Sequence, residues 1–295
     1  MVWASGWRLA SAVSEAGGLG LIGAGSMHPE TLQEHIRKCR QATGKPFGVN
    51  VPLLYPEMDR ILSIIREEGV RIVFTSAGNP ATHTRVLKDA GITVVHVVSS
   101  SRFARKAEEA GCDAVVAEGF EAGGHNGREE TTTLVLVPAV KAAVRIPVIA
   151  AGGIATGRQM LAAMVLGADG VQVGTRFVAS EEASSHQAFK EAVIQAGEGD
   201  TQLSLKKLVP VRLLKNAFFR EVWEAEQRGA RPEELQQILG RARAKRGMFE
   251  GDLESGELEI GQVSALVKDI LPAGKILRNL EAEFLDAVRN PIQTN

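Results

Sequence analysis

The chain has 295 residues, enough for one large domain with a sizeable buried core. Hydrophobic residues make up 44% and charged residues 23%, as in a globular enzyme, and the net charge of −1 gives no indication of a nucleic-acid or membrane-surface partner. The sequence has no apolar run of membrane-spanning length and no signal-peptide pattern, and its two cysteines, Cys39 and Cys112, predict buried thiols rather than a disulfide or a metal site, so we expect a cytoplasmic, metal-free protein.

Seven short apolar runs rich in valine and isoleucine recur along the first 180 residues. Their starts lie 21 to 33 residues apart, which suits one strand–helix unit each. Near-continuous apolar runs of this kind are typical of parallel strands covered on both faces. The runs begin near Leu19, Phe47, Arg71, Thr93, Ala114, Pro147 and Gly170. Helical patterns fill the gaps, and most of these helices are predicted to end at a glycine, namely Gly17, Gly69, Gly91, Gly111 or Gly167.

This alternation predicts a TIM-type (β/α)8 barrel. The closed form is favoured over an open sheet because glycine and polar residues follow the runs at their carboxyl ends, where barrels carry active sites. The sequence contains only seven strands, and a barrel without its first strand leaves two unpaired edges. Either another segment closes the gap or the first strand lies upstream of Met1, and we expect the second.

Helical patterns follow one another from about residue 180 onwards. They cover residues 181–197, 216–228, 232–245 and 273–289, with a glycine-rich acidic stretch at 247–261. We therefore divide the chain into a barrel, residues 1–180, and a C-terminal helical extension, residues 181–295, that covers the barrel mouth.

Glycines follow the last two strands of the predicted barrel. Gly152 and Gly153 precede a helix, and Gly174 and Thr175 follow the next strand. Such a pair of strand ends is the usual phosphate cradle of a barrel, because glycine lets backbone N–H groups approach the phosphate and the helix dipole favours its charge. A tight turn without a ligand is the alternative interpretation.

The stretch AEGFEAGGHNGR, residues 117–128, carries two carboxylates and a histidine in a glycine-rich loop. His125 is a candidate proton donor, because its loop leaves the catalytic edge of the barrel. Glu118 is a candidate for binding polar groups of a ligand. For Glu121 the alternative is a side chain that is only solvated. We expect the other histidines to be structural: His28, His35, His83, His96 and His186.

The motifs PFGVN, TSAGNP, AEGFEAGGH, PVIAAGGI and QVGTRF, in this order, resemble the nitronate monooxygenase (2-nitropropane dioxygenase) superfamily, and within it the flavin-type enoyl-acyl carrier protein reductases. The resemblance runs from residue 1 to about residue 180 and continues weakly through residues 260–263. It implies a barrel that binds FMN, with the catalytic histidine at His125. The implied cofactor-binding residues are Met1, Asn50, Ser76, Glu118, Gly123, Ala151, Gly152, Gly153, Gly174 and Thr175.

The resemblance leaves two reactions open. In the reductase branch, NADH or NADPH reduces FMN, and the hydride passes to an enoyl thioester. In the nitronate branch, an alkyl nitronate is oxidised with oxygen. Some nitronate-type members carry a lysine where this chain has Val97, so the sequence favours the reductase. A non-flavin phosphate-binding barrel and an inactive shortened product are the alternatives outside the family.

The resemblance also implies partners. Members of the family often form homodimers, and an acidic acyl carrier protein is a candidate partner of the reductase. Basic residues could form a rim that docks it, or they could be solvated helix faces. They are Lys206, Lys207, Arg212, Lys215, Arg241, Arg243, Lys245 and Arg246.

Overall fold

The computed structural model describes residues 2–291. Its strands are β1 (Gly20–Gly23), β2 (Phe47–Pro52), β3 (Ile72–Ser76), β4 (Thr93–Val98), β5 (Ala114–Glu118), β6 (Gly124–His125), β7 (Val148–Ala151), β8 (Gly170–Gln172), β9 (Thr201–Ser204) and β10 (Val211–Leu214). Its α-helices are α1 (Trp7–Glu15), α2 (Pro29–Ala42), α3 (Met58–Glu67), α4 (Thr84–Asp89), α5 (Ser101–Glu109), α6 (Thr133–Lys141), α7 (Gly157–Val165), α8 (Thr175–Val178), α9 (Gln187–Gln195), α10 (Ala217–Gln227), α11 (Pro232–Leu239) and α12 (Ala273–Arg289).

Seven strands form one parallel, curled sheet in the order β1-β2-β3-β4-β5-β7-β8, with helices around it. The predicted TIM-type barrel fold is thereby confirmed, and each strand begins within one residue of its predicted start. Within residues 2–291, β1 and β8 are the two ends of this order. The β1 edge is bonded by Ser5, whose carbonyl accepts from the Gly23 N–H over 2.9 Å and whose hydroxyl donates to the Leu21 carbonyl. Met1, expected to end an absent strand, lies outside the described residues.

Side chains of the parallel strands alternate between two hydrophobic cores. Residues such as Val73, Val94 and Val115 pack outward against the helices. Residues such as Phe74 and Val116 fill the barrel interior. A residue two positions beyond an interior one therefore also faces inward, which fixes the direction of the last side chain of each strand.

Glycines end the helices that lead into the strands, as predicted. All five predicted positions have the left-handed backbone that glycine adopts without steric cost, with φ between 62° and 104°. They are Gly17, Gly69, Gly91, Gly111 and Gly167.

The extension contains strands that the sequence did not predict. Strands β9 and β10 pair antiparallel, and β10 also pairs with β6, so the histidine loop joins a three-stranded sheet with the extension. Their sequences, TQLS and VRLL, are interrupted by polar residues and lack the continuous apolar run that located the strands of the barrel. Helix α12 returns to the barrel, where Ile276 and Leu280 share a hydrophobic cluster with Leu9 and Phe177.

Described residues include no helix that is both long enough and apolar enough to cross a membrane.

Candidate functional site

Four of the predicted binding residues meet at the carboxyl end of the barrel interior. Ser76 and Glu118 lie two residues beyond the interior residues Phe74 and Val116. Ala151 is itself part of the interior cluster and lies beside Glu118 in the register of β5 and β7. Asn50 alternates with outward-facing valines of β2, and its amide donates to the Phe74 carbonyl over 3.3 Å. The barrel mouth is therefore lined by an amide, a hydroxyl and a carboxyl group.

Glu118 is the acid of this interior. It lines a narrow cleft together with Ser99, Phe120 and Thr131. Burial raises the pKa of its carboxyl group to about 7, since a charged carboxylate loses the solvation that water gives it. At neutral pH the group can therefore both accept and donate a hydrogen bond.

Gln172 belongs to the same interior, although no motif of the sequence indicated it. It ends β8 beside Ala151 in the strand register. Its side-chain oxygen Oε1 is buried and has no hydrogen-bond partner within residues 2–291. An unsatisfied buried amide is costly, so this oxygen is available for a donor on a bound molecule. The alternation of side chains along β8 predicts that Gln172 faces inward. The prediction was instead based on the glycines that follow the strand.

The first predicted phosphate-binding segment follows β7. Gly152 and Gly153 have φ angles of 90° and 70°, a conformation that favours glycine. The Thr133 hydroxyl donates to the Gly152 carbonyl over 2.9 Å. Helix α7 then begins behind Thr156, whose hydroxyl caps the helix together with Gln159. Two glycines with left-handed backbone and a helix N-terminus therefore follow one strand end.

The second predicted phosphate-binding segment follows β8. A Cβ atom at Gly174 would meet no heavy atom within 4 Å, so this backbone borders open space. Thr175 is buried, and its hydroxyl accepts a hydrogen bond from the Gly261 N–H over 3.1 Å. Gly174 is therefore free to approach a ligand, whereas Thr175 holds the extension in place.

The glycines of the histidine loop are required by close packing. A Cβ atom at Gly123 would lie 2.4 Å from the backbone of Ile260, and one at Gly119 would lie 2.1 Å from the Thr133 hydroxyl. Glu121 is not simply solvated: its two carboxylate oxygens accept from the Thr133 N–H over 2.9 and 3.0 Å. The loop is thus fixed between α6 and the extension.

His125 lies on β6, opposite Val211 of β10. Its side chain lines a cavity of about 300 Å³ together with Val2, Trp3, Glu257 and Glu259. The residues that line the Glu118 cleft do not include His125. The structure therefore places the predicted catalytic residue in a separate cavity on the side of the extension.

Three other histidines have structural partners, as expected. His96 faces outward, is buried, and its Nδ1 lies 2.7 Å from the Thr75 hydroxyl, and burial lowers its pKa to about 4. His35 accepts from the Trp7 N–H over 3.2 Å, and His186 accepts from the Ala188 N–H over 3.1 Å. Both cysteines are buried, as predicted.

Most of the predicted basic rim is engaged within the chain. Arg212 is only 2% exposed, so it cannot belong to a surface rim; it donates to the Phe120 carbonyl and lies 4.9 Å from the centre of the Phe120 ring. Other members have carboxylate or carbonyl partners: Lys206 with Glu130, Lys207 with Gly229 and Ala230, Arg243 with Ile238, Leu239 and Ser255, and Lys245 with Glu250. Proximity in sequence did not show which way these side chains point.

Comparison with known proteins identifies relatives over nearly the whole chain. The family model described as nitronate monooxygenase matches residues 1–61 and 55–283. The (3aS,4S,5R,7aS)-5-hydroxy-7a-methyl-1-oxo-octahydro-1H-indene-4-carboxyl-CoA dehydrogenase of Mycobacterium tuberculosis is 33% identical, over 98% of this chain and 91% of its own length.

Solved structures give a similar result. FabK from Thermotoga maritima is 46% identical, with a TM-score of 0.94, over 99% of this chain and 92% of that chain. The nitroalkane oxidase from Streptomyces ansochromogenes is 30% identical, with a TM-score of 0.84, over 99% of this chain and 95% of that chain.

Proposed function

The chain belongs to the nitronate monooxygenase family, and within it we propose an FMN-dependent, NAD(P)H-consuming reductase of enoyl thioesters. The observation that carries the proposal is the 46% identity to FabK, an enoyl-acyl carrier protein reductase II, over 99% of the chain. The lower identity of 30% to a nitroalkane oxidase supports the second branch less strongly.

The residues at the barrel mouth fit a flavin nucleotide. The partnerless Oε1 of Gln172 suits an N–H donor, and the open backbone at Gly174 suits a phosphate group. Gly152 and Gly153 would complete the phosphate site, whereas the N-terminus of α7 is occupied, because the Gly157 N–H donates to the Glu283 carboxylate over 2.8 Å. Asn50, Ser76, Glu118, Gly123 and Ala151 would hold the ring and the ribityl chain. FMN, when bound, supplies two-electron hydride chemistry.

The protein's part in the reaction is to position the substrate and to supply the proton. His125 lines a cavity with apolar walls that include Leu205, Val211 and Leu239, which suits an acyl chain. As the proposed acid, His125 would donate a proton to the α-carbon of the thioester. The acyl group would be carried by acyl carrier protein or by coenzyme A, and the name of the mycobacterial relative supports a CoA thioester as a candidate.

Val97 supports the reductase branch over the nitronate branch. It lies on the interior face of β4 and packs against the interior cluster. A charged group at this position would be available to an anionic nitronate, whereas an apolar one supports the reductase.

Two assays test the proposal. Purified protein supplied with FMN is expected to consume NADH or NADPH when crotonyl-CoA or crotonyl-acyl carrier protein is added. Oxygen uptake with an alkyl nitronate, without turnover of either thioester, would contradict the reductase and support nitronate oxidation instead. His125→Ala is expected to lower turnover by about 10²–10⁴-fold, as for loss of a general acid, while the bound FMN remains.

A further inference from the structure

Two acidic side chains line the His125 cavity and have no part in the proposed reaction. Glu257 and Glu259 lie on the segment that follows the glycine-rich stretch of the extension. Glu257 is only 6% exposed. A carboxyl group with so little solvent contact at the edge of a reactive cavity is unusual, because burial of its charged form is costly.

The backbone places both carboxyl groups on the cavity side. Glu259 forms an antiparallel bridge with Leu213 of β10, so this segment is extended. Leu258 and Ile260 are each 2% exposed and pack into the core of the extension. Residues of an extended segment alternate in direction, so Glu257 and Glu259 share the opposite face, towards His125.

The Glu259 carboxylate reaches the backbone next to His125. Its Oε2 atom lies 2.5 Å from the position that a Cβ atom at Gly124 would occupy. Gly124 leaves room for the carboxylate where it lies, and the adjoining residue of β6 is His125 itself. The acidic pair and the histidine therefore line one cavity of about 300 Å³, which is open to solvent on one side.

Four charged or titratable groups face Glu257: His125 from β6, Glu259 from its own segment, and Arg243 and Lys245 from the segment after α11. Arg243 is held by backbone carbonyls, and Lys245 lies 2.8 Å from Glu250. In the described part of the chain, neither cation forms an ion pair with Glu257. Burial and, second, the charge of Glu259 raise the pKa of Glu257 to about 8, against a smaller lowering by Arg243.

We propose that Glu257 and Glu259 form a proton-sharing pair that exchanges a proton with His125 across this cavity. Both act through His125 and are positioning residues. Their role in turnover rests on the proposed reductase function, whereas the proton exchange itself does not.

In the proposed reaction, NADH or NADPH is oxidised and supplies the hydride, and solvent supplies the proton. Reduction of the enoyl thioester adds a hydride at the β-carbon and a proton at the α-carbon, and the carbon–carbon double bond becomes single. His125 gives up the proton that the α-carbon receives and becomes neutral. The carboxyl pair returns a proton to its imidazole, and water at the open side of the cavity replaces the proton on the pair.

The direct test is an NMR titration of the His125 ring in protein with labelled histidine. The wild type is expected to show an inflection near pH 8, where the pair loses its shared proton. Glu257→Gln should remove this inflection, and Glu259→Gln should move it to lower pH, because the repelling charge is gone. Glu233→Gln, on the exposed first turn of α11, serves as the control and should leave it unchanged.

Absence of this inflection from the wild-type titration would overturn the proton exchange. Persistence of the inflection in Glu257→Gln would overturn it as well. If Glu257→Gln does not fold, the shift in Glu259→Gln decides. These NMR results do not depend on enzymatic activity. Failure of the reductase assay would therefore contradict the proposed function, whereas the NMR titration alone would decide on the proton exchange.

Turnover provides the second readout. Glu257→Gln is expected to lower kcat/KM at neutral pH by roughly 10- to 100-fold, less than the loss expected for a direct proton donor, and to change the alkaline limb of the pH profile. An unchanged kcat/KM and an unchanged pH profile would show that the pair supplies no proton to the reaction.

Discussion

The Gly261 N–H donates a hydrogen bond to the Thr175 hydroxyl over 3.1 Å. This contact joins the extension to the residue that follows the last parallel strand of the barrel. The neighbouring N–H of Gln262 donates to the Glu121 carbonyl over 2.9 Å, so the same segment also holds the histidine loop. The proposed cofactor site and the His125 cavity are therefore connected through residues 259–262.

Thr175→Val is expected to lower the free energy of unfolding by about 1–3 kcal/mol, because the buried Gly261 N–H loses its acceptor. Urea unfolding measures the change. Thr175→Ser keeps the hydroxyl and is the control, and equal stability of the valine variant and the wild type would contradict the role of this bond.

Gly174→Ala tests the phosphate site. A methyl group at this position meets open space, so the stability of the flavin-free protein should remain within about 0.5 kcal/mol of the wild type. If the phosphate approaches this backbone, FMN affinity should fall at least about tenfold, equivalent to roughly 1.4 kcal/mol. Flavin fluorescence titration measures the affinity. Gly170→Ala, which also meets open space but lies at the other end of β8, should bind FMN as the wild type does.

Gly123→Ala is expected to displace the extension from the histidine loop. The added methyl group would lie 2.4 Å from the Ile260 carbonyl carbon, so the backbone must shift, at a cost of about 1–3 kcal/mol or more. Thermal unfolding measures the loss. Gly44→Ala is the matched control, because a Cβ atom there contacts nothing within 4 Å, and a comparable loss in both variants would contradict the packing argument.

Glu118→Gln is expected to change the pH dependence of stability. The native state holds the Glu118 proton up to about pH 7, whereas the unfolded chain releases it near the ordinary pKa of 4.5. Flavin-free wild type should therefore lose about 3 kcal/mol relative to the glutamine variant as the pH rises through this interval. Urea unfolding at about pH 5 and about pH 8 measures the difference. Parallel curves for the two proteins would show that Glu118 titrates normally.

Much of the barrel could be predicted from the sequence because its signals are local. Apolar runs, helix-ending glycines and their spacing located the seven strands and their carboxyl ends. The family resemblance then selected Asn50, Ser76, Glu118 and Ala151 at these strand ends, and the structure brings them together on the interior face.

The remaining features depend on contacts between distant segments. Strands β9 and β10 exist because they pair with each other and with β6. Glu121 faces Thr133, and Arg212 is buried against Phe120, and neither partner could be read from the neighbouring residues. The acidic pair beside His125 likewise arises only when the extension folds back over the loop.

The most direct measurement of the proposed function is the reoxidation of the reduced, FMN-loaded protein in the absence of oxygen. The flavin is first reduced with NADH or NADPH and then mixed with crotonyl-CoA or crotonyl-acyl carrier protein in a stopped-flow spectrophotometer. We predict that the thioester restores the oxidised flavin spectrum and yields the saturated butyryl product in equal amount. A flavin that stays reduced with both thioesters, in a protein that consumes oxygen with an alkyl nitronate, would contradict the proposal.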